Sequence, residues 1–131
     1  MQEDIVWSEH FSVGVPAMDE EHKKLIAMLN QLRHRDETGT AFNIVMQMFE
    51  YASVHFKHEE ELLAHVGYSE LETQKREHAA FLAKTSSFSE SNMDDPALCD
   101  DLLVYLLKWM VHHILEEDMK YKRCIPERFI Q

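Results

Sequence analysis

The stretch from Ile44 to Leu63 narrows most sharply what this chain can fold into. Ile44, Val45, Met48, Tyr51, Ala52, His55, Phe56, Glu59, Leu62 and Leu63 recur at spacings of three and four, the period of one face of an α-helix. Such a face belongs in a core. Two of its members, His55 and Glu59, are ionisable, and a charge taken out of water has to be paired. Any fold for this chain must therefore bury the stripe and supply partners for a histidine and a glutamate inside it.

The rest of the chain offers three more helices to pack against. Helix A should run from Met18 to His34, with Leu25, Ile26, Met28, Leu29 and Leu32 as its apolar face and His22 one turn earlier on the same side. A polar turn, Asp36 to Thr40 with Gly39, leads into helix B, Thr40 to His65, which Gly67 is suited to end. Ser69-Glu70-Leu71-Glu72 has the form of a capping box and should start helix C. That helix carries Leu71, Gln74, His78, Phe81 and Leu82 on one face and fades in the serine-rich SSFSES. Asp95 followed by Pro96 marks the start of helix D, which should continue to about Tyr121. Ahead of these, residues 1–17 read as an extended arm. Phe11, Val13 and Val15 alternate, Pro16 ends the regularity, and Trp7 and Phe11 should cover one edge of the helices. Four helices with short connections predict an all-α fold, an antiparallel up-down-up-down four-helix bundle. The expected organisation is one domain over 1–131, with the arm at 1–17, the bundle at 18–121 and a tail at 122–131. A chain of 131 residues can bury an independent core.

Thirteen lysines and arginines against 24 aspartates and glutamates give a net charge of −11. An acidic surface repels nucleic acid and anionic membrane, so neither is expected as a partner. The longest apolar stretch, Leu102 to Leu115, is interrupted by Lys108, His112 and His113 and falls short of the ~20 residues a bilayer requires. Cys99 and Cys124 form neither a metal motif nor a disulfide framework. With no export signal at the N-terminus, the expectation is a soluble cytoplasmic protein.

Nine histidines in a chain this size are the compositional anomaly. Histidine and glutamate four residues apart lie on one side of a helix and can reach one metal ion. A single pair, His55 with Glu59, is equally well read as a buried histidine bonded to a carboxylate. The set is harder to read that way. His22, His55, Glu59, His78 and His113 all fall on inward faces of four different helix segments, and burying so many ionisable groups without a ligand is costly. Imidazoles and carboxylates together suit iron, zinc or manganese, and their number suits two bridged ions better than one. His113 and Glu117 make a second pair at the same spacing. Asp118 stands about 140° round a regular helix from His113, so periodicity alone prefers Glu117. His10, His34 and His65 read as surface residues, and His58 and His112 as surface or supporting residues. Of Glu59, Glu60 and Glu61, only Glu59 should point inward.

The words IVWSEHFSVGVPAMDEEHKKL, HFKHEEELL, GYSELE, EHAAFL and WMVHHILEEDMKY resemble the bacterial hemerythrins almost from end to end. That resemblance implies a bundle holding two iron ions joined by an oxo or hydroxo bridge, with O2 bound at one of them. Carried over position by position, the implied metal ligands are His22, His55, Glu59, His78, His113 and Asp118. His22 and His55 would hold the iron with an open position, His78 and His113 the other, and Glu59 and Asp118 would bridge the two. Asp118 would then need a locally widened turn. Trp109, Met110 and Ile114 would line the O2 pocket. The chain departs from the family pattern at Gln74, which stands where the family has a further histidine. Gln74 could ligate weakly through its amide oxygen, water could take the place, or both irons could keep an open position. The implied function is O2 carriage, storage or sensing rather than catalysis, with O2 or another small diatomic or anion as the partner. The alternative is a diiron oxidase, peroxidase or NO-reducing enzyme that uses the place beside Gln74, and a third reading is a bundle that stores or senses iron.

Overall fold

The computed structural model describes residues 4–35, 38–89 and 95–125. Four long helices dominate: α1 (Pro16–Arg33), α2 (Thr38–His65), α3 (Leu71–Ser89) and α4 (Pro96–His112). A π-helical segment, His113–Asp118, continues α4 and leads into the short α5 (Met119–Lys122). Each long helix packs on the next in sequence, and α4 closes the ring against α1. The result is the up-down-up-down bundle that the four apolar stripes predict. No helix among the described residues is long and apolar enough to cross a membrane.

The core follows the stripes. Leu25, Leu29 and Leu32 of α1, Val45, Met48, Ala52 and Phe56 of α2, Phe81 of α3 and Leu102, Leu106 and Met110 of α4 are buried in one cluster. A second cluster, with Val13, Met18, Leu63, Tyr68 and Tyr121, fills the other end of the bundle. Between the two lies the band of buried polar residues described below.

Element boundaries differ from the sequence expectations in four places. Pro16 begins α1 as its first residue instead of closing the arm, because its missing N–H is not needed there. The turn predicted at Asp36 to Thr40 is shorter, since α2 already starts at Thr38; Asp36 and Glu37 lie outside the described residues, as do residues 90–94 and 126–131. Helix α3 starts at Leu71, two residues beyond the expected cap at Ser69. Its first turn is closed by backbone bonds, Leu71 N–H to Tyr68 O at 3.3 Å and Gln74 N–H to Glu70 O at 3.2 Å. The arm is not uniformly extended: Glu9–Phe11 form a 3-10 turn, which stacks Phe11 on Trp7 with ring centroids 5.6 Å apart. Both rings pack against the main core, as expected.

Gly67 does end α2. It takes φ +71°, with Tyr68 N–H donating to Leu63 O at 2.9 Å and Gly67 N–H to Ala64 O at 3.2 Å. This double bond pattern satisfies the last carbonyls of the helix and requires the left-handed conformation that glycine adopts without penalty. The arm is held along α1 by side chains. Asn30 pairs with both backbone groups of Ile5 at 3.1 and 2.9 Å, and Asp19 accepts from Ser12 Oγ at 2.6 Å and Val13 N–H at 2.9 Å.

Candidate metal centre

Each long helix delivers one or more polar residues to the same level of the bundle. His22 comes from α1, His55 and Glu59 from α2, Gln74 and His78 from α3, and His113 and Asp118 from the two ends of the π-helical segment. All are buried: the histidines and Gln74 are 1% exposed, and Glu59 and Asp118 0%. Six of these seven are the residues that the sequence pointed to as metal ligands, and the seventh is the position where the pattern departs.

The π-helical segment resolves the competition between Glu117 and Asp118. Met119 N–H donates to Ile114 O, five residues back. In this wider turn, residues five apart fall on the same side, so His113 and Asp118 both face inward. Glu117 turns outward to Lys120, whose Nζ donates at 3.3 Å. The preference for Glu117 held only for a regular helix.

All four imidazoles present Nε2 to the centre. His78 Nε2 lies 2.9 Å from Glu59 Oε1, and His113 Nε2 lies 3.0 Å from Asp118 Oδ1 and 3.6 Å from Glu59 Oε1. On the other side, His22 Nε2 is 3.5 Å from Glu59 Oε2 and 3.3 Å from Asp118 Oδ2, and His55 Nε2 is 3.8 Å from Glu59 Oε2. Each carboxylate therefore offers one oxygen to each half of the cluster. His22, His55 and Glu59 could together hold one metal ion, and Glu59, His78 and His113 another.

Three outer carboxylates, which the sequence reading did not single out, orient the rings. His55 Nδ1 meets Glu21 at 2.7 Å, His78 Nδ1 meets Glu60 at 2.7 Å, and His113 Nδ1 meets Glu77 at 2.9 Å. A ring that donates its Nδ1 proton outward leaves the Nε2 lone pair directed inward, which is the arrangement of metal-bound histidine. Glu60 is thus not part of a purely solvated acidic face; only Glu61 of the three neighbours is exposed. The three carboxylates form a relay. Glu21 of α1 serves α2, Glu60 of α2 serves α3, and Glu77 of α3 serves His113. Each lies next in sequence to an inward ligand, about 100° further round its own helix, where it reaches the neighbouring one. His58 shares Glu21 from outside, with Nδ1 at 2.8 Å. His112, half exposed, contacts Glu116 at 2.6 Å, in keeping with a surface role. His34 pairs with Asp4 at 2.8 Å, and His10 and His65 are exposed.

Tyr121 is the other residue missed. It is fully buried, and its hydroxyl donates to Glu59 Oε2 at 2.7 Å. Burial, and then the nearby Glu59 and Asp118 carboxylates, push its pKa well above the usual tyrosine value, so the phenol stays a donor. Tyr121→Phe should cost about 1–3 kcal/mol, the usual penalty for leaving a buried acceptor unsatisfied. A lower denaturant midpoint at unchanged slope is the expected result, and an unchanged midpoint would mean that the bond contributes nothing.

Several features fit a cation. His78 and His113 bring their Nε2 atoms within 3.1 Å of each other; with both Nδ1 protons donated outward, two lone pairs would face each other. Both nitrogens of His22, Gln74 Oε1 and Asp118 Oδ2 are buried with no hydrogen-bond partner among the described residues. Orphaned polar atoms are rare in native interiors; among the described residues the one other is Arg33 Nη1, and His22 Nε2, Gln74 Oε1 and Asp118 Oδ2 belong to the cluster. Gln74 Nε2 donates to Asp118 Oδ1 at 3.0 Å. Without a cation, protons would have to balance the carboxylates. Burial presses the His22 pKa down, but Asp118 and Glu59 outweigh it and raise it to about 9. Burial opposes ionisation of Glu59, yet the His113, His22 and His78 imidazoles facing it hold its pKa well below the ordinary range.

Aromatic residues close the His78 and His113 side. Phe56 stacks on His78 with centroids 4.0 Å apart and planes 5° from parallel. Trp109 stacks on His113 at 4.4 Å and 13°. Met110 and Ile114 are buried beside them, and Trp109 is half-buried.

Bundle and centre together define a helical protein with an internal histidine–carboxylate site able to hold cations. The profile of the hemerythrin HHE cation binding domain matches residues 13–125, and this chain belongs to the hemerythrin family. It is 34% identical over 125 residues to a bacteriohemerythrin of Clostridium acetobutylicum, covering 88% of this chain and 97% of that one. It is 30% identical over 116 residues to a hemerythrin-like protein of Naegleria gruberi, covering 88% and 89%. A crystal structure of wild-type hemerythrin shares the fold, with a TM-score of 0.79 at 22% identity over 92% of this chain and 97% of the other.

Proposed function

We propose that this protein binds O2 reversibly at a non-haem centre of two iron ions, serving O2 carriage, storage or sensing rather than turnover. The observation that carries this reading is the equal division of the buried donors. Two imidazoles stand on each side, His22 with His55 and His78 with His113, and Glu59 and Asp118 turn one oxygen to each. Two ions would fit that set, with Glu59 and Asp118 as the residues able to serve both. Imidazole and carboxylate donors suit iron as well as zinc or manganese, and membership of the hemerythrin family points to iron. When bound, two irons supply the electrons that O2 takes up.

The chain's own residues do the rest. Glu21, Glu60 and Glu77 fix the orientations of His55, His78 and His113. Tyr121 holds one oxygen of Glu59. Trp109, Met110 and Ile114, with Phe56 and Phe81, form the apolar wall, which keeps water and protons from bound O2 and so favours its release as O2. Iron-loaded protein, reduced under anaerobic conditions and then exposed to O2, should develop a visible absorption band that degassing removes. Oxidation without a reversible band would overturn this reading.

A further inference from the structure

We propose that the His78/His113 half of the centre has an exchangeable coordination place of its own beside Gln74, so that each of the two metal positions can take a small anion such as azide. This rests on the two-iron reading above and goes beyond it in assigning a second ligand place. The two halves have matching donor sets. The His22/His55 half is bounded by two imidazoles, Glu59 Oε2 and Asp118 Oδ2. The His78/His113 half is bounded by two imidazoles, Glu59 Oε1 and Asp118 Oδ1. Two histidines with carboxylate oxygen leave a first-row metal ion with open positions, and nothing in the donor inventory makes one half fuller than the other.

Apart from the Tyr121 phenol, which is held by Glu59, Gln74 is the further polar side chain buried in the cluster among the described residues. Its amide is already oriented. The carboxylate Asp118 Oδ1 can only accept, so the group 3.0 Å away must be the amide nitrogen. The amide is thereby tied to a shared ligand, and its Oε1 is left buried with no partner. A neutral amide held in this way does not supply what a third imidazole would. It leaves a place on this half, next to an acceptor oxygen that can take a hydrogen bond from a protonated ligand.

The test is azide binding to the oxidised, iron-loaded full-length chain, followed by calorimetry and visible absorption, with iron measured in the same sample. Two azide ions per two irons are expected for the native sequence. Gln74→His should lower this to one, because the added imidazole takes the second place. Gln74→Leu, which removes the amide and adds no ligand, should retain two. A single azide per two irons in the native protein would overturn the proposal while leaving the two-iron reading intact. Fewer than two irons per chain would overturn that reading and this proposal with it. If Gln74→His fails to fold, the native stoichiometry decides alone.

Discussion

Glu59→Gln should strip the centre of both metal ions. Glu59 lies within 4 Å of every imidazole in the cluster, at 2.9 Å from His78, 3.6 Å from His113, 3.5 Å from His22 and 3.8 Å from His55. An amide would offer one oxygen and one NH2 group. Whichever way it turned, the NH2 would face one pair of Nε2 lone pairs and the oxygen would serve only the other half. Loss of an outer partner alone weakens metal binding about 10–100-fold, so loss of a shared ligand should exceed about 100-fold. Iron retained after desalting should fall from about two per chain to well below one. Glu61→Gln, at an exposed neighbouring position, should leave the iron content unchanged. Two retained irons in Glu59→Gln would rule out the shared-carboxylate arrangement.

Removing the metal should lower the melting temperature by roughly 8–33 °C. A ligand bound only to the native state at 1,000 times its Kd contributes about 4.1 kcal/mol, and about 1 kcal/mol moves the midpoint of a chain this size by roughly 2–8 °C. The gap should also depend on pH. In the metal-free protein His22 is raised from 6.5 to about 9. Its contribution to stability is therefore complete below pH 6.5 and is lost as pH rises through about 9. Metal binding runs the other way, because ligating imidazoles must be deprotonated. The difference between loaded and chelated protein should widen from pH 6.5 to 9, as read by thermal melts at several pH values. A gap independent of pH would show that His22 does not carry the charge that its surroundings assign to it.

The bundle was legible because its information is periodic. Leu25 to Leu32, Ile44 to Leu63 and Leu102 to Met110 each repeat at the helical spacing, and Gly67 and Pro96 mark ends where backbone chemistry leaves little choice. The inward ligands were legible as polar breaks in apolar stripes. His55 and Glu59 stand out in their helix because everything else on that face is oily. What was not legible is relational. Glu21, Glu60 and Glu77 look like ordinary surface acids because each serves a ring on a different helix, and the period of one helix says nothing about its neighbour. The hint was adjacency, an acid directly beside an inward ligand in Glu21-His22, Glu59-Glu60 and Glu77-His78. Tyr121 was hidden for a different reason. Its alignment with Glu59 depends on the wide turn before it, and helical periodicity carried through that turn gives the wrong direction. The 3-10 turn of the arm and the late start of α3 are local choices worth too little energy to register in a pattern.

The wide turn at His113–Asp118 has a consequence for how the end of the chain is phased. It amounts to one residue more than a regular helix would use over the same path. If the segment kept all its residues but wound as a regular α-helix, every later position would rotate by about 100°. Asp118 would leave the centre, and Tyr121, four residues after Glu117, would swing away from Glu59 in the same movement. A ligand and the phenol that steadies its counterpart thus share one frame. The wide turn that directs the first inward also directs the second.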